Sequence, residues 1–221
     1  YAVAHYPDNL TCIEGASIWM QYMTAYGALI EFGNLNAKDT VLITAASSSV
    51  GLAAIQVVKA TGATAIAVTQ GSRKKSFLLE AGADQVIATE EEDLVAQVNA
   101  LTSGKGCRLV FDPIAGPILE KLAEVTAQEG IIFEYGALSP EPTPFPLFSS
   151  LTKALTVRGY TLFEIAKDPE RLARGKQYIY QELESGRLKP IIDRTFPLEK
   201  IVEAHRYIES NQQKGKIVVT T

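Results

Sequence analysis

Residues 41–56 constrain the fold most, because a short apolar run passes through a turn of small residues directly into an apolar helix. The run from Val41 to Ala45 has the character of a buried strand. The turn departs from G-x-G-x-x-G, with Ala46, Ser48 and Gly51 in its three glycine positions. Backbone N–H groups of such a turn can hold a pyrophosphate. The pattern predicts the first unit of a dinucleotide-binding domain, with an ordinary tight turn as the alternative.

The composition is that of a globular domain, with 221 residues, 47% of them hydrophobic and 21% charged. The net charge of −4 gives no basic surface for nucleic acid, and no apolar run is long enough for a membrane span. Cys12 and Cys107 lie far apart, which predicts a cytoplasmic protein without a disulfide. Because residue 1 is not Met and residues 1–5 resemble the middle of a strand, we expect the start of the protein to be missing.

Apolar strands and helices alternate along most of the chain, which predicts an α/β fold with a parallel sheet and right-handed crossovers. Six strands of this kind predict a Rossmann-type doubly wound sheet of order 3-2-1-4-5-6. Its ligand would lie at the carboxyl ends of the first and fourth strands. The predicted strands are residues 41–45, 63–69, 85–88, 108–112, 130–135 and 155–160, and the helices between them are 50–61, 72–81, 93–102, 117–126 and 148–155.

The two ends of the chain fit this sheet less well and resemble the edges of a second domain. Their predicted elements are a strand and loop over 1–13 with a turn at 7–9, helices over 15–32, 169–185 and 198–210, an extended segment over 188–196 and a strand over 216–220.

The segment after the second strand distinguishes NAD from NADP. An NAD site usually places an acid about 20 residues after the glycine turn, where it binds the ribose 2′-OH. Residues 68–75 contain no acid, and Ser72, Arg73 and Lys74 instead offer donors and positive charge to a 2′-phosphate. Basic residues in the first turn of a helix oppose its dipole, which indicates a bound anion rather than a merely solvated face. The segment therefore favours NADP(H).

Two further turns follow predicted strands at the same edge of the sheet. The turn from Asp112 to Gly116 can pass under the nicotinamide ribose, although a plain loop is equally consistent with it. After the fifth strand, Gly136 allows the backbone to approach a ring. Lys216 can bring a cation near the coenzyme, although a simple turn before the last strand is also consistent with Gly215 and Lys216. His5 and His205 stand alone and no zinc-ligand spacing occurs, so we predict no metal site.

These segments together resemble the C-terminal, coenzyme-binding part of the zinc-independent NADPH:quinone oxidoreductases, the zeta-crystallin-like branch of the medium-chain dehydrogenase/reductase superfamily. The resemblance implies that residues 1–30 are the end of a catalytic domain and a connecting helix. Residues 31–160 would be the NADP-binding Rossmann domain, and 161–221 would return to the catalytic domain. The resemblance further implies that most of the family's GroES-like N-terminal domain lies outside this sequence. The matching segments are residues 21–29, 45–51, 81–84, 111–116, 158–159 and 215–218.

The resemblance also implies an oxidoreductase that transfers hydride from NADPH to a small molecule, a quinone or an electron-poor C=C of an enone, alkenal or enoyl thioester. It implies a homodimer through the strand near Arg158 and Gly159, and no membrane or nucleic-acid partner. It identifies no catalytic residue. The residues predicted to bind NADP(H) are Thr24, Ala46, Ser48, Ser49, Val50, Gly51, Thr69, Ser72, Arg73, Lys74, Thr89, Asp112, Pro113, Tyr135, Gly136, Ala137, Leu138 and Lys216.

Other functions are compatible with the same fold, since a fold does not fix a function. A protein similar to the zinc-type alcohol dehydrogenases and a non-catalytic NADPH-binding protein are the two alternatives. A methyltransferase fits less well, because such enzymes usually have an acid after the second strand and residues 69–75 contain none.

Overall fold

The computed structural model describes residues 4–221. The strand predicted for residues 1–5 lies mostly outside the described residues, and Ala4 and His5 are not in a strand. The predicted turn at residues 7–9 is present, since the Leu10 N–H donates to the Pro7 carbonyl at 3.0 Å.

The main sheet has six parallel strands in the order β3-β2-β1-β4-β5-β6, which confirms the predicted topology. From β1 the chain first adds strands on one side of the sheet, β2 and β3, and then on the other side, β4 to β6. At this switch point the carboxyl ends of β1 and β4 leave a crevice for a ligand. The strands are β1 (Thr40–Ile43), β2 (Thr64–Thr69), β3 (Gln85–Ala88), β4 (Cys107–Asp112), β5 (Thr126–Glu134) and β6 (Thr156–Gly159).

The helices cover both faces of this sheet, as a doubly wound fold requires. The short helix α7 was not predicted. The helices are α1 (Cys12–Tyr26), α2 (Ser49–Thr61), α3 (Lys75–Glu80), α4 (Leu94–Thr102), α5 (Ile118–Val125), α6 (Leu147–Lys153), α7 (Phe163–Ala166), α8 (Pro169–Glu184) and α9 (Ile201–Glu209).

The first helix begins three residues before the predicted start at Gly15. Thr11 caps it: its side chain accepts from the Glu14 N–H, and the Glu14 carboxylate accepts from the Thr11 N–H at 2.8 Å. This reciprocal capping box satisfies free donors at the helix start. The helix continues as a π-helical turn over Gly27–Phe32, and Gly33 follows it as predicted.

Two hydrophobic layers lie on opposite faces of the main sheet, because successive strand residues point to opposite sides. In β1, Val41 and Ile43 pack in the layer that includes α1 and α2, whereas Leu42 packs in the layer that includes α4 and α5. All three side chains have no exposed surface. This burial on both faces explains why the strands contain continuous apolar runs.

Two C-terminal strands, β7 (Ile192–Pro197) and β8 (Lys216–Thr220), form a separate parallel sheet. The extended segment predicted for 188–196 is a strand only from Ile192, four residues after its predicted start, and this strand ends at Pro197, one residue after the predicted end. The loop before β8 is the part that approaches the crevice of the main sheet.

Candidate coenzyme site

The turn between β1 and α2 is held by a backbone hydrogen bond to β2 and by the side chain of Ser48. Ala45 adopts a left-handed φ of 44°, and the Ala46 N–H donates to the Val68 carbonyl of β2 at 3.1 Å. Ser48 caps α2, since its Oγ accepts from the Gly51 N–H at 3.0 Å. The Ser49 and Val50 N–H groups that follow have no intrahelical acceptor, because they lie in the first turn of the helix. These donors can hold an anion such as a pyrophosphate.

Gly51 is the one glycine of the motif that the sequence retains, and the structure shows why. A Cβ added there would lie 2.7 Å from the Ala45 carbonyl oxygen and 2.7 Å from both Cα and the carbonyl oxygen of Ala46. All three contacts are with backbone atoms, which cannot move aside as a flexible side chain would. The close approach of α2 to the end of β1 therefore requires glycine.

The C-terminal loop forms the other wall of this cleft. Ser48 and Ser49 line one cavity together with Gln213, Gly215 and Lys216. Burial lowers the pKa of Lys216 below its usual value. The side-chain oxygen of Gln213 is buried and has no hydrogen-bond partner among the described residues. The structure thus brings Lys216 to the predicted pyrophosphate turn.

Lys74, predicted to bind a 2′-phosphate, makes several contacts within the protein. Its Nζ donates to the Ser47 hydroxyl at 3.1 Å and to the carbonyls of Asn211 and Gln213 at 2.8 and 3.0 Å. Burial, and then the nearby Lys214, lowers its pKa. Lys74 therefore ties the turn after β2 to the C-terminal loop. The position of Gln213 could not be predicted, because the sequence pattern of α9 and β8 does not place the loop between them.

The turn after β2 contains a contact that the sequence argument missed. Ser72 donates from its N–H and its hydroxyl to Oε1 of Glu91, at 3.2 and 3.1 Å. Thr69 ends β2, and its carbonyl accepts from the Thr89 N–H at 3.0 Å. Arg73 is exposed. An acid thus reaches this turn from the loop after β3, which a search directly after β2 does not find.

The ends of β4 and β5 place two carboxyl groups opposite each other, since Asp112 and Glu134 are register partners. Asp112 is fully buried, and its carboxylate accepts from the Thr44 hydroxyl. It also accepts from the N–H groups of Ile114 and Ala115, at 3.1 and 2.6 Å. Asp112 therefore shapes the turn after β4 through contacts within the protein.

Glu134 is in a different situation from Asp112. Both of its carboxyl oxygens are buried, and neither has a partner in hydrogen-bond geometry among the described residues. Burial, and then the neighbouring Asp112, raises the pKa of Glu134 to about 8. Its position at the end of β5 could not reveal this, because a carboxyl group is not expected to be buried there without a partner.

The segment 135–138 packs against the turn after β4. The Tyr135 ring stacks on Phe111 with 4.0 Å between centroids, and the Leu138 N–H donates to the Pro113 carbonyl at 3.0 Å. A Cβ on Gly136 would lie 2.8 Å from that same Pro113 oxygen, so the predicted close approach here is to protein backbone. Ala137 and Leu138 are exposed.

The Tyr135 hydroxyl is buried and has no hydrogen-bond partner in residues 4–221. Burial, and then the nearby Asp112, raises its pKa, and the Ser48 side chain opposes that shift. Thr24 lies in α1, where it is buried and donates to the Met20 carbonyl at 2.7 Å. The Tyr135 hydroxyl therefore lies near Ser48 of the turn after β1 without a hydrogen bond to it.

Residues 4–221 contain no group of three or more His, Cys, Asp or Glu side chains placed to hold a metal ion. We therefore assign no zinc ligand to this part of the chain. None of its helices is long and apolar enough to span a bilayer. Burial raises the pKa of the Cys107 thiol to about 12, which makes it a small hydrophobic side chain.

The sheet order, the glycine-requiring turn and the cleft beside it define a Rossmann-type coenzyme-binding domain. A family model described as "Zinc-binding dehydrogenase" matches residues 49–174. The human quinone oxidoreductase is 28% identical over 99% of this chain and 66% of its own length.

Two solved structures have the same fold as this chain. The Escherichia coli quinone oxidoreductase complexed with NADPH has a TM-score of 0.91 and 27% identity, over 99% of this chain and 68% of its own. An NAD-dependent alcohol dehydrogenase has a TM-score of 0.88 and 30% identity, over 99% and 61%. The chain belongs to the zinc-binding dehydrogenase family and, within the medium-chain dehydrogenase/reductase superfamily, to the coenzyme-binding part of the quinone oxidoreductase branch. It spans 66% of the length of the human relative.

Proposed function

We propose that the complete protein is an NADPH-dependent oxidoreductase that reduces a quinone or an electron-poor C=C, and that this chain holds the coenzyme. The observation that carries the proposal is the cleft at the turn after β1. Gly51 leaves no room for a side chain, and Ser48, Ser49 and Lys216 line the space beside it. The buried oxygens of Tyr135 and Gln213 have no partner among the described residues, and a polar ligand would supply one.

Each part of the coenzyme would have a place at this edge of the sheet. The turn from Ser48 to Gly51 and the cation of Lys216 would hold the pyrophosphate. The turn after β2, with Arg73, would face the 2′ position of the adenosine ribose. The residues after β4 and β5 would support the nicotinamide side, and the bound coenzyme supplies the hydride. The chain's own contribution is orientation, which is the main role of a protein around such a coenzyme.

The division of the chain is part of the same proposal. Residues 1–30 would connect to a catalytic domain, 31–160 would form the coenzyme-binding domain, and 161–221 would return to the catalytic domain. The substrate would then bind between the two domains, opposite the nicotinamide.

Replacing Arg73 with alanine is expected to weaken NADPH binding about fivefold and to leave NADH binding unchanged. A charge-assisted hydrogen bond contributes about 1.5–3 kcal/mol when buried, and an exposed one contributes less. Arg73 is exposed, and its loss removes a charge that only the 2′-phosphate would use. Fluorescence titration of both coenzymes measures the effect. Equal losses for both coenzymes in Arg73→Ala would contradict the 2′-phosphate assignment. The double variant Arg73→Ala, Lys74→Ala should lose more NADPH affinity and also some NADH affinity, because Lys74 holds the C-terminal loop.

Oxidation of an alcohol with NAD is the second candidate, because a neighbour at 30% identity is an NAD-dependent alcohol dehydrogenase. The full-length protein distinguishes the two candidates in one assay series. A panel of quinones, enones and enoyl thioesters with NADPH should show coenzyme oxidation, and a panel of alcohols with NAD should not. A protein that binds NADPH and is inactive in both panels would be the non-catalytic alternative.

We propose a homodimer through β6. This strand is the last of the main sheet, and its outer edge has no partner strand among residues 4–221. The preceding helix α6 exposes large apolar side chains, with Phe148 81% and Leu151 70% exposed. Unpaired sheet edges and apolar patches of this kind favour association. Light scattering at micromolar concentration is expected to give twice the 24.0 kDa mass of the chain, and a monomer would contradict the proposal.

A further inference from the structure

The structure supplies an acid at the place where the sequence has none. The turn after β2 contains only basic and small residues, but Oε1 of Glu91 accepts hydrogen bonds from both donors of Ser72, at 3.2 and 3.1 Å. Ser72 is one of the residues that would bind the 2′ group of the coenzyme. The donors expected to bind that group are therefore occupied by a carboxylate of the protein itself.

The loop after β3 is fixed in the position that makes this contact. The Thr89 and Glu90 N–H groups donate to the carbonyls of Thr69 and Gln70, at 3.0 and 2.9 Å. The Glu91 N–H donates to the Ala88 carbonyl at 3.1 Å. The first two bonds continue the pairing of β2 and β3 beyond their ends, and the third closes a turn within the loop. Glu91 therefore approaches Ser72 from a loop that hydrogen bonds hold in place.

The three glutamates of this loop have different surroundings. Glu92 is neutralised, since its carboxylate accepts from Lys75 Nζ at 2.8 Å and from the Ala88 N–H at 2.7 Å. Glu90 lies beside the turn, with Oε2 3.0 Å from the place of a Cβ on Gly71. Glu91 contacts Ser72 and is exposed to solvent. Among the described residues, Glu91 has no ion pair with a basic side chain, so its charge acts on whatever binds next to Ser72.

We propose that Glu91 is a specificity-determining residue of the coenzyme site, which disfavours a 2′-phosphate and tolerates a 2′-hydroxyl. The proposal rests on the coenzyme site proposed above. A phosphate that takes the two Ser72 donors must displace Glu91 and then remains close to its negative charge. A 2′-hydroxyl carries no charge and can itself donate to the carboxylate. Glu91 thus opposes the attraction of Arg73 for a 2′-phosphate and reduces the ratio of NADPH affinity to NADH affinity.

The test compares the wild-type chain with Glu91→Gln, which keeps the shape of the side chain and removes its charge. Two probe pairs are titrated: NADPH against NADH, and adenosine 2′,5′-bisphosphate against adenosine 5′-monophosphate. We expect Glu91→Gln to bind NADPH and the bisphosphate about tenfold more tightly, since a like charge next to the phosphate has been removed. Binding of NADH and the monophosphate should stay the same or weaken slightly. The gain should shrink at high salt, because an exposed charge is screened.

The matched control is Glu120→Gln, which removes an exposed carboxylate from the first turn of α5. It should leave all four affinities unchanged, and thermal unfolding should show that both variants keep the wild-type fold. Equal changes for the phosphorylated and unphosphorylated probes, or no change in either, would overturn the role of Glu91 while leaving the coenzyme site in place. A wild-type chain that binds none of the four probes would instead overturn the proposed function and this proposal with it.

Discussion

Replacing Gly51 with alanine is expected to lower the free energy of unfolding by about 2 kcal/mol and to weaken coenzyme binding. Alanine is the better helix former, by about 1 kcal/mol. Its Cβ, however, would lie 2.7 Å from three backbone atoms of Ala45 and Ala46. Overpacking of a rigid site costs about 1–3 kcal/mol or more, and backbone atoms in a turn are the least able to yield. The steric penalty should therefore exceed the gain in helix propensity.

Urea denaturation and coenzyme titration together measure the two effects of Gly51→Ala. Because α2 must move away from the turn, the Ser49 and Val50 N–H groups should lose their alignment with the pyrophosphate. Gly159→Ala is the matched control, since a Cβ there meets nothing within 4 Å. Because Gly159 lies in β6, the proposed dimer edge, light scattering should first show that this control keeps the oligomeric state of the wild type. The control should retain wild-type stability. If Gly51→Ala were as stable as the control, the close packing of α2 on the end of β1 would be contradicted.

The main sheet could be predicted from the sequence because its signals are local. The strands are short apolar runs, and two of the helices between them begin at a capping side chain, Ser48 for α2 and Asp93 for α4. The predicted strand over 85–88 and the predicted strand over 216–220 coincide with β3 and β8. Parallel strands joined by helices then leave few possible orders, of which 3-2-1-4-5-6 is found.

The contacts of the candidate site were harder to predict, because they join loops that are distant in sequence. Lys74 has the composition of a phosphate ligand in a basic turn, but its partners lie in the loop before β8. Glu91 reaches Ser72 across the ends of two strands. Asp112 is predicted to bind the coenzyme, and its carboxylate also accepts from Thr44, Ile114 and Ala115 within the protein, which the sequence does not indicate. Residue type and spacing indicate where a site lies, and tertiary contacts decide which groups remain available in it.

The second large effect concerns Glu134, which is buried opposite Asp112 without a hydrogen-bond partner among the described residues. Its folded-state pKa is raised from the usual value of 4.5 to about 8. The unfolded chain has the usual value, so the folded state binds more protons than the unfolded state between these two pH values. The free energy of unfolding therefore falls as pH rises through this range, and the loss is complete above pH 8.

Glu134→Gln is expected to remove this pH dependence. The amide stays neutral at every pH, so no second negative charge forms beside the Asp112 carboxylate. A shift of one pKa unit corresponds to about 1.4 kcal/mol of free energy of unfolding. Because Glu134 is partly accessible to solvent, the total effect is smaller than the full pKa shift would give. We expect the variant to exceed the wild type in free energy of unfolding by about 1–3 kcal/mol at pH 8.5 and to equal it near pH 5.

Urea denaturation between pH 5 and pH 9 measures both curves, and Glu141→Gln serves as the control because Glu141 is an exposed carboxylate in the neighbouring loop. The control curve should run parallel to that of the wild type.

Since Asp112 also holds the turn after β4, ionisation of Glu134 adds a second negative charge beside the group that shapes this turn. Coenzyme binding by the wild type should then weaken above pH 8 while binding by Glu134→Gln does not. Parallel stability curves for the wild type and Glu134→Gln would show that Glu134 ionises as it does in water, and would contradict the burial of its charge.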